Sequence, residues 1–176
     1  ENGEVVREKV SSEPRAHASV TAMFVKEILE EGGLAVSDCD AVAVSKGPGS
    51  YTGLRVGVST AKGLCFGAGI PLVSVGTLDT LVWQARDGGL LPEGCAHIVP
   101  MVDARRMEVY SGIFDTCGKQ LTQTSATIVD GSTFAGILAE GPALFIGDGA
   151  LKCKEVIADP GAFYHETCPR ASAMLH

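Results

Sequence analysis

The chain has 176 residues, of which 45% are hydrophobic and 20% are charged, as in one or two globular domains and unlike a disordered or fibrous chain. Its 14 basic and 21 acidic residues give a formal net charge of −7, which disfavours direct binding of nucleic acid because phosphate-binding surfaces need clustered Lys and Arg. No apolar run of about 18 residues occurs and the start is polar, so we expect a cytoplasmic protein without a membrane span or signal peptide.

Glycine is the compositional outlier, since 22 glycines in 176 residues far exceed the usual share of about 7%. Such an excess indicates tight turns or close approaches of the backbone to another group. The six cysteines include no Cys-x-x-Cys pair, so we expect reduced thiols rather than a disulfide framework or a zinc site.

A turn motif and a long amphipathic segment open the chain. Asn2-Gly3 predicts a hairpin turn leading into a strand at Val5–Val10, although no strand precedes the turn. Pro14 and Gly32 then bound a helix predicted over residues 15–31. Its apolar face is broader than one sheet requires, so a buried helix and a helix that also meets a partner both remain open. The apolar side chains of this helix include Val20, Met23, Phe24, Val25, Ile28 and Leu29.

The rest of the first half alternates short apolar strands with helices. Strands are predicted at Asp40–Ser45 and Pro71–Val75, and their continuous apolar character is typical of strands buried on both faces. Helices are predicted at about 52–67 and 77–86. The glycine-rich stretch 87–94 is the best candidate for a linker.

The second half contains more alternating segments, which predicts a first domain over residues 1–95 and a second over 96–176. The strand at His97–Val102 contains Pro100, which favours an edge position or a bulge because proline cannot donate a ladder hydrogen bond. The other predicted elements are strands at 107–114, 120–129 and 143–146, turns at 115–118 and 147–149, and helices at 132–139 and 150–158.

The segment Gly47–Gly53, Gly-Pro-Gly-Ser-Tyr-Thr-Gly, joins a predicted strand to a helix N-terminus, which is how phosphate sites are built. Its glycine spacing is not that of a dinucleotide fold, and no Lys follows Gly53 as in a P-loop. A plain tight turn and a phosphate-binding loop therefore both remain open. The candidate ligand residues of this loop are Gly47, Gly49, Ser50 and Thr52.

The helix that follows carries Gly53, Gly57 and Ala61 at four-residue spacing, a stripe with little side-chain bulk. Such a stripe lets another helix approach closely, and Leu64 adds apolar surface. Packing within the chain and contact with a second subunit are both compatible with this pattern.

Catalytic and metal motifs are few. His17 is followed by Thr21, which excludes a His-x-x-x-His metal pair, and His165-Glu166 lacks the second histidine of a zinc-protease helix. No Gly-x-Ser-x-Gly nucleophile elbow occurs. The segments Asp103–Arg105 and Gly147–Gly149 each follow a strand and are candidates to position a ligand, although an ion-paired turn is the more common arrangement at the first.

Taken in order, these motifs resemble the signature of the bacterial TsaB (YeaZ) family, which belongs to the glycoprotease-like superfamily. The paralogous TsaD (Kae1) family shares a related glycine-rich segment, but TsaD-like members hold a metal with a histidine pair that this chain lacks. The matching segments are Gly47–Gly57, Ala61–Leu64, Asp103–Arg105 with Glu108–Tyr110, Arg15 with His17, and Gly147–Gly149.

The resemblance implies a two-lobed, actin-like α/β fold of the ribonuclease H type (ASKHA), with mixed sheets flanked by helices. The family begins with two strands and continues with a further helix, so we expect the first strands and the tail to be absent from this chain. It also implies a role in making tRNA threonylcarbamoyladenosine. There, TsaD-like subunits carry the transferase chemistry, and TsaB-like proteins are non-catalytic scaffolds that are not enzymes by themselves.

On this resemblance, the first-lobe helices bind a TsaD-like subunit, support binding of a TsaE-like ATPase, and pair with a second copy when the partner is absent. No firmly bound cofactor or metal is implied, and ATP is expected only at the level of the complex. Two other functions remain open: an ATP-binding enzyme and a metallo-glycoprotease. The predicted interface residues are Val20, Met23, Phe24, Gly53, Gly57, Ala61 and Leu64, and the ligand residues outside the Gly47 loop are Asp103, Arg105, Gly147 and Asp148.

Overall fold

The computed structural model describes residues 4–11 and 17–175, so the turn predicted at Asn2-Gly3 lies outside the described residues. The chain divides into two compact units, the first running to Gly76 and the second from Thr77 to Met174. The helix that begins at Thr77 packs on the sheet of the second unit and falls within it, and the domain boundary that we predicted at residue 95 stays a prediction. No helix among the described residues is long and apolar enough to cross a membrane.

The first unit combines two helices with a two-stranded parallel sheet. Strand β1 (Val42–Ser45) pairs with β2 (Leu72–Val75), close to the predicted bounds. The helices are α1 (His17–Gly32) and α2 (Tyr51–Ala68), and a short 3₁₀ helix (Val36–Asp38) lies between α1 and β1 in the chain. Parallel strands need a crossover connection, and α2 supplies it while packing against both α1 and β1.

The strand predicted at Val5–Val10 is wrong, because residues 4–11 form no strand. A strand needs a partner for its backbone hydrogen bonds, and none of the described strands pairs with this segment. Lys9 instead fastens the segment to α1, since its Nζ lies 2.5 Å from Glu27 Oε2 and 2.7 Å from Glu31 Oε1.

Local chemistry fixes the two ends of α2. The Ser50 hydroxyl accepts a hydrogen bond of 3.4 Å from the Gly53 N–H, which caps the first turn. At the other end Gly69 has a left-handed φ of 70°, and its N–H donates to the Cys65 carbonyl at 2.9 Å. The helix therefore extends one residue beyond the predicted range at each end.

The second unit is a mixed sheet with helices α3 (Thr77–Asp87) and α4 (Ala135–Glu140), in agreement with the predicted α/β class. The strand order is β6-β4-β3-β7-β8, with β5 paired to the start of β3. Strands β3, β7 and β8 are parallel, so their carboxyl ends meet at one edge of the sheet. The strands are β3 (His97–Asp103), β4 (Glu108–Ser111), β5 (Phe114–Asp115), β6 (Ser125–Ile128), β7 (Ala143–Ile146) and β8 (Ala162–His165).

Both faces of β3 are buried. On one face Ile98 and Val102 pack with α3 residues, including Leu81. On the other face Val99 and Met101 pack with a second apolar cluster that includes Phe145. This double burial explains why the sequence of β3 is almost continuously apolar.

Pro100 lies in a central strand, so the edge position we predicted for β3 is wrong, and no extra residue forms the bulge that we offered as the alternative. On its antiparallel side, β3 pairs with β5 through Ile98 and with β4 from Met101 onward. Pro100 falls in the gap between these two ladders while its other side pairs in register with Ile146. A residue without an N–H is tolerated there because no antiparallel neighbour requires one.

Several predicted elements are shorter or different in the structure. The strand predicted at 107–114 is split into β4 and β5, and only 125–128 of the strand predicted at 120–129 forms. The helix predicted at 150–158 is wrong, since only a 3₁₀ helix at Leu151–Cys153 forms before the chain returns to the sheet as β8. Strand β8 was not predicted because four residues are too few for an alternation pattern.

Phe145 supplies the first prediction. It is fully buried, and its ring lies 5.3 Å from the rings of both Phe134 and Tyr164. Phe145→Ala should lower the free energy of unfolding by about 3–5 kcal/mol because it leaves a cavity in a core that cannot collapse freely. Urea denaturation monitored by circular dichroism measures this. The matched control is Phe163→Ala on β8, whose side chain is 44% exposed, and an equal loss in both variants would contradict the assigned core.

Candidate interaction and ligand sites

The seven predicted interface residues all lie on α1 and α2, which pack against each other in the first unit. Met23 is the most exposed of them, at 46%. Five others are half-buried: Val20, Phe24, Gly53, Gly57 and Leu64. Only part of this set is therefore open at the surface of the first unit.

The small-residue stripe of α2 faces inward. Ala61 is buried, and a Cβ built on Gly57 would lie 3.8 Å from the Val44 side chain of β1. Of the two interpretations left open by the spacing, packing within the chain accounts for these two residues, since the small side chains let α2 lie close to the strands. The interface assignment of the stripe stays a prediction.

A different strip of α2 is exposed to solvent. Tyr51 is 74% exposed and Phe66 is 93% exposed, and the cationic side chains of Arg55 and Lys62 lie between them on the same face. The Arg55 guanidinium lies 5.5 Å from the centre of the Tyr51 ring, beside a cavity of about 450 Å³. Tyr, Phe and Arg are the side chains enriched at protein interfaces.

A second cavity, of about 340 Å³, lies between α2 and the 3₁₀ helix. Its lining includes Gly63 and Gly67, and a Cβ built on either would meet no atom within 4 Å. A glycine inside a helix costs about 1 kcal/mol relative to alanine. Nothing in the first unit requires these two glycines, so the fold alone does not explain that cost.

The Gly47 loop forms a tight, capped turn. Gly47 has a φ of 100°, and a Cβ at this position would lie 3.1 Å from Leu54, so both its conformation and its contacts favour glycine. Ser50 uses its hydroxyl to cap α2, and Thr52 is exposed in the first turn. These features account for the loop as the start of α2, and its role in binding phosphate stays a prediction.

The hairpin between β3 and β4 is held by Lys152. Its ammonium group donates to Asp103 Oδ1 and, at 2.6 Å, to the Glu108 carbonyl, so it joins the two strand ends across the turn. Asp103 Oδ1 also accepts from the Arg105 N–H at 2.9 Å. We expected an ion pair within the turn itself, but the ion-pair partner of Asp103 is Lys152 from outside it.

The turn displays two arginines in a strained conformation. Arg105 has a φ of 73° and Arg106 a φ of 49°, values that side chains other than glycine rarely adopt. Both side chains are exposed. Strained backbone of this kind persists only where the surrounding structure holds it, and Lys152 and the Asp103 hydrogen bonds do so here.

The segment Gly147–Gly149 interlocks with the end of β3. Asp148 Oδ1 accepts from the Asp103 N–H at 2.9 Å, and the Gly149 N–H donates to the Met101 carbonyl at 3.1 Å. A Cβ at Gly147 would lie 2.2 Å from that same carbonyl oxygen, so only glycine fits there. The structure thus brings Asp103, Arg105, Gly147 and Asp148 together at the carboxyl ends of β3 and β7, as a predicted ligand site in an α/β sheet requires.

The charge of Asp103 is stabilised by this arrangement. Burial by itself would raise the pKa of the Asp103 carboxyl, but the hydrogen bonds from Lys152 and the Arg105 N–H outweigh it and hold the pKa below its usual value. Asp103 is therefore ionised at neutral pH and fixes the position of Lys152.

Two observations concern possible metal ligands and thiols in the part of the chain that the structure describes. That part contains no group of three or more His, Cys, Asp or Glu side chains able to hold a metal ion. All six cysteines are free, ranging from the buried Cys153 to the exposed Cys117. Arg15 and the side chain of His17, which contribute to the resemblance, lie outside the described residues.

The sequence did not reveal residues whose partners lie far away in the chain. Lys152 comes 49 positions after Asp103, and no local motif marks the pair. Phe66 was not singled out because an apolar residue in an amphipathic helix is ordinarily assigned to its buried face. Phe66 lies one helical turn after Lys62 and is not aligned with Ala61, and this spacing could have placed it on the exposed face of α2.

Comparison with known proteins places this arrangement in a family. The two α/β units, one with a two-stranded parallel sheet and one with a mixed sheet flanked by helices, define an actin-like fold. The model of the TsaD family, described as tRNA N6-adenosine threonylcarbamoyltransferase, matches residues 4–146. The chain belongs to this family, and its relatives include proteins that bear the TsaB and YeaZ names.

Three relatives illustrate the similarity. The chain is 32% identical over 161 residues to the tRNA threonylcarbamoyladenosine biosynthesis protein TsaB of Bacillus subtilis, covering 88% of this chain and 66% of that protein. It is 37% identical over 97 residues to TsaB of Escherichia coli, covering 55% of this chain and 40% of that protein. A crystal structure of a Pseudomonas aeruginosa protein similar to the peptidase YeaZ superposes with a TM-score of 0.75 at 28% identity, covering 94% of this chain and 76% of that one. The chain thus spans less than two thirds of the curated relatives it matches.

The second prediction concerns pH and Asp103. Because its pKa is lowered in the folded state, the carboxylate adds stability above the unfolded pKa of about 3.9, and this stability is lost as the pH falls through the folded value. Since Asp103 is 46% exposed, Asp103→Asn should cost only about 0.5–1 kcal/mol at pH 7 and almost nothing at about pH 2. Urea unfolding at the two pH values measures the difference.

The control for this prediction is Lys152→Met, in which the pH-dependent cost of Asp103→Asn should largely disappear because the cation that lowers the pKa is gone. A cost for Asp103→Asn that is the same at both pH values would show that its charge does not stabilise the hairpin.

Proposed function

We propose that this protein is a non-catalytic scaffold subunit of the tRNA threonylcarbamoyladenosine machinery. In this proposal α1 and α2 bind a TsaD-like transferase subunit, and the pair supports binding of a TsaE-like ATPase. The protein also pairs with itself when the partner is absent. The names of its relatives support the pathway, and the helices of the first unit support the binding role.

One observation carries the binding role. Among the described residues of the first unit, the only buried apolar side chains are Ala61 and Cys65, and the other buried apolar residues all belong to the second unit. Burial of apolar surface is the main source of folding stability, at about 25 cal/mol per Å². A helical unit with so thin a core benefits from a partner that covers its apolar surface, of which Met23, Tyr51 and Phe66 are exposed examples.

The acidic character of the chain fits a scaffold better than a tRNA-binding subunit. A net charge of −7 opposes an RNA backbone at long range, so contacts with the tRNA would fall to the partner. A cytoplasmic location is part of the same proposal, because the machinery acts on tRNA.

The third prediction tests the interface. Met23→Asp introduces a charge on the exposed side of α1 and should weaken association with a TsaD-like subunit at least about 10-fold, because the charge would lose its water at the contact. Titration calorimetry of the full-length proteins measures the affinity. The matched control is Ile128→Asp on β6 of the second unit, where the side chain is 73% exposed and binding should not change.

Association that is absent in the wild-type protein, or equal in the Met23 and Ile128 variants, would contradict the proposed interface. We avoid a bulky residue at Gly57, because it would press on Val44 and disturb the unit itself.

The alternative of an ATP-binding enzyme has a specific observation in its favour. Asp103 is engaged by Lys152, which leaves the exposed Arg105 and Arg106 guanidinium groups available at the carboxyl ends of the parallel strands. Arginine forms bidentate hydrogen bonds with phosphate. Calorimetric titration of the isolated protein with ATP and magnesium separates the two functions, since the scaffold proposal predicts no micromolar binding. Micromolar binding that is lost in Arg105→Gln would favour the enzyme instead.

A further inference from the structure

The tip of the β3–β4 hairpin carries two consecutive arginines in left-handed backbone conformations. Arg105 has a φ of 73° and Arg106 a φ of 49°, in a region that glycine and asparagine populate most readily. Arginine at these positions costs stability that an Asn-Gly pair would not. A backbone outlier of this kind indicates that the two side chains serve a purpose other than folding.

Neither guanidinium group is fastened to the second unit. Both side chains are exposed, and within the described residues no ion pair joins either of them to an acidic group. The hydrogen bonds of the turn use backbone atoms of Arg105 instead. Its N–H donates to Asp103 Oδ1 at 2.9 Å, and its carbonyl accepts from the Glu108 N–H at 3.1 Å. Both guanidinium groups are therefore free to bind a ligand.

The acidic groups around the tip are engaged or lie further down the hairpin. Asp103 binds Lys152, and Asp148 accepts a hydrogen bond from the Asp103 N–H. Glu108 is half-buried at the start of β4, where it pairs in register with Ile128. A ligand in contact with the tip meets the two arginines first. The net charge of −7 matters less there, because charges beyond about 8–10 Å are largely screened at physiological salt.

The chemistry of the pair indicates a phosphate ligand of extended shape. The planar guanidinium group forms paired hydrogen bonds with phosphate, which makes arginine a preferred residue for contacts with nucleic acid. Small ligands are held in concave clefts that bury most of their surface, whereas these side chains are exposed on a turn between two strands. An exposed pair of this kind suits the backbone of a polyanion, which a protein contacts from outside.

We propose that Arg105 and Arg106 contact the phosphate backbone of the tRNA once the partner subunit has bound it. The inference rests on the proposed function, which supplies both the tRNA and the TsaD-like subunit. RNA repels the acidic chain at long range, so the contact adds to binding that the partner provides. Phosphate contacts fix the register and orientation of a nucleic acid on a protein without reading its sequence. The two arginines thus help to position the tRNA on the complex.

The fourth prediction uses Arg105→Asn combined with Arg106→Gly. This double variant removes both charges and the backbone strain, so it should raise the melting temperature while it weakens tRNA binding by the complex with a TsaD-like subunit. The slope of log K against log salt should become shallower by about 1.5, because each phosphate contact contributes about 0.7–0.9. Fluorescence anisotropy of unmodified tRNA, labelled at one end, measures both quantities between about 50 and 200 mM salt.

Two controls separate the charge of the tip from its structure. Arg105→Lys combined with Arg106→Lys keeps both charges, so the salt slope should stay close to that of the wild type. Lys119→Gln removes an exposed charge beside β5, which pairs with the start of β3 rather than with its Asp103 end. It should change neither the affinity for tRNA nor the salt slope.

The outcomes distinguish this inference from the proposed function. A complex that binds tRNA with the same affinity and salt slope in the wild type and the double variant would overturn the inference and leave the scaffold role standing. Loss of the complex itself in the double variant, measured by calorimetry without tRNA, would assign the arginines to the protein partner and also overturn it. Failure of the wild-type protein to bind the TsaD-like subunit would contradict the proposed function, and the tRNA contact would fail with it.

Discussion

The burial of β3 on both faces is the constraint on which the second unit depends. Ile98 and Met101 are fully buried on opposite faces, so the strand must lie at the centre of the sheet with a layer of helix or loop on each side. That placement brings the carboxyl ends of β3 and β7 together and carries Asp103 to Asp148. Lys152 then joins the end of β3 to the start of β4 by hydrogen bonds to Asp103 and to the Glu108 carbonyl. These bonds hold the turn on which the two arginines are exposed.

The first unit is organised differently. Its helix α2 packs on two short strands through small residues, with Gly57 beside Val44 and Ala61 buried. Such packing brings backbones close but removes little apolar surface from water. Some of its large side chains, such as Tyr51 and Phe66, are exposed to solvent. An exposed apolar surface of this kind is what the proposed scaffold role would use.

The sequence was sufficient to predict the α/β class, the strands at 42–45 and 72–75, and the two helices of the first unit, because each has an apolar pattern bounded by turn residues. It was not sufficient for features set by contacts between distant segments. Pro100 is accommodated in a central strand only because two different strands meet beside it, and Lys152 reaches Asp103 only after the sheet has formed. The orientation of α2 is a third case, since its sequence left open whether Gly57 lies against another element of the chain or against a second subunit, and in the structure it lies beside Val44 of β1.

Hydrogen exchange of the full-length protein, alone and with a TsaD-like subunit, tests most directly whether the partner binds the helices of the first unit and leaves the sheet of the second unit unchanged. Amides of β3 and β7 should be the most protected in both samples. In the complex, exchange should slow further only in α1 and α2, where the exchange rates should fall by about 10-fold or more. Added protection in β3 and β7 with α1 and α2 unchanged would contradict the account.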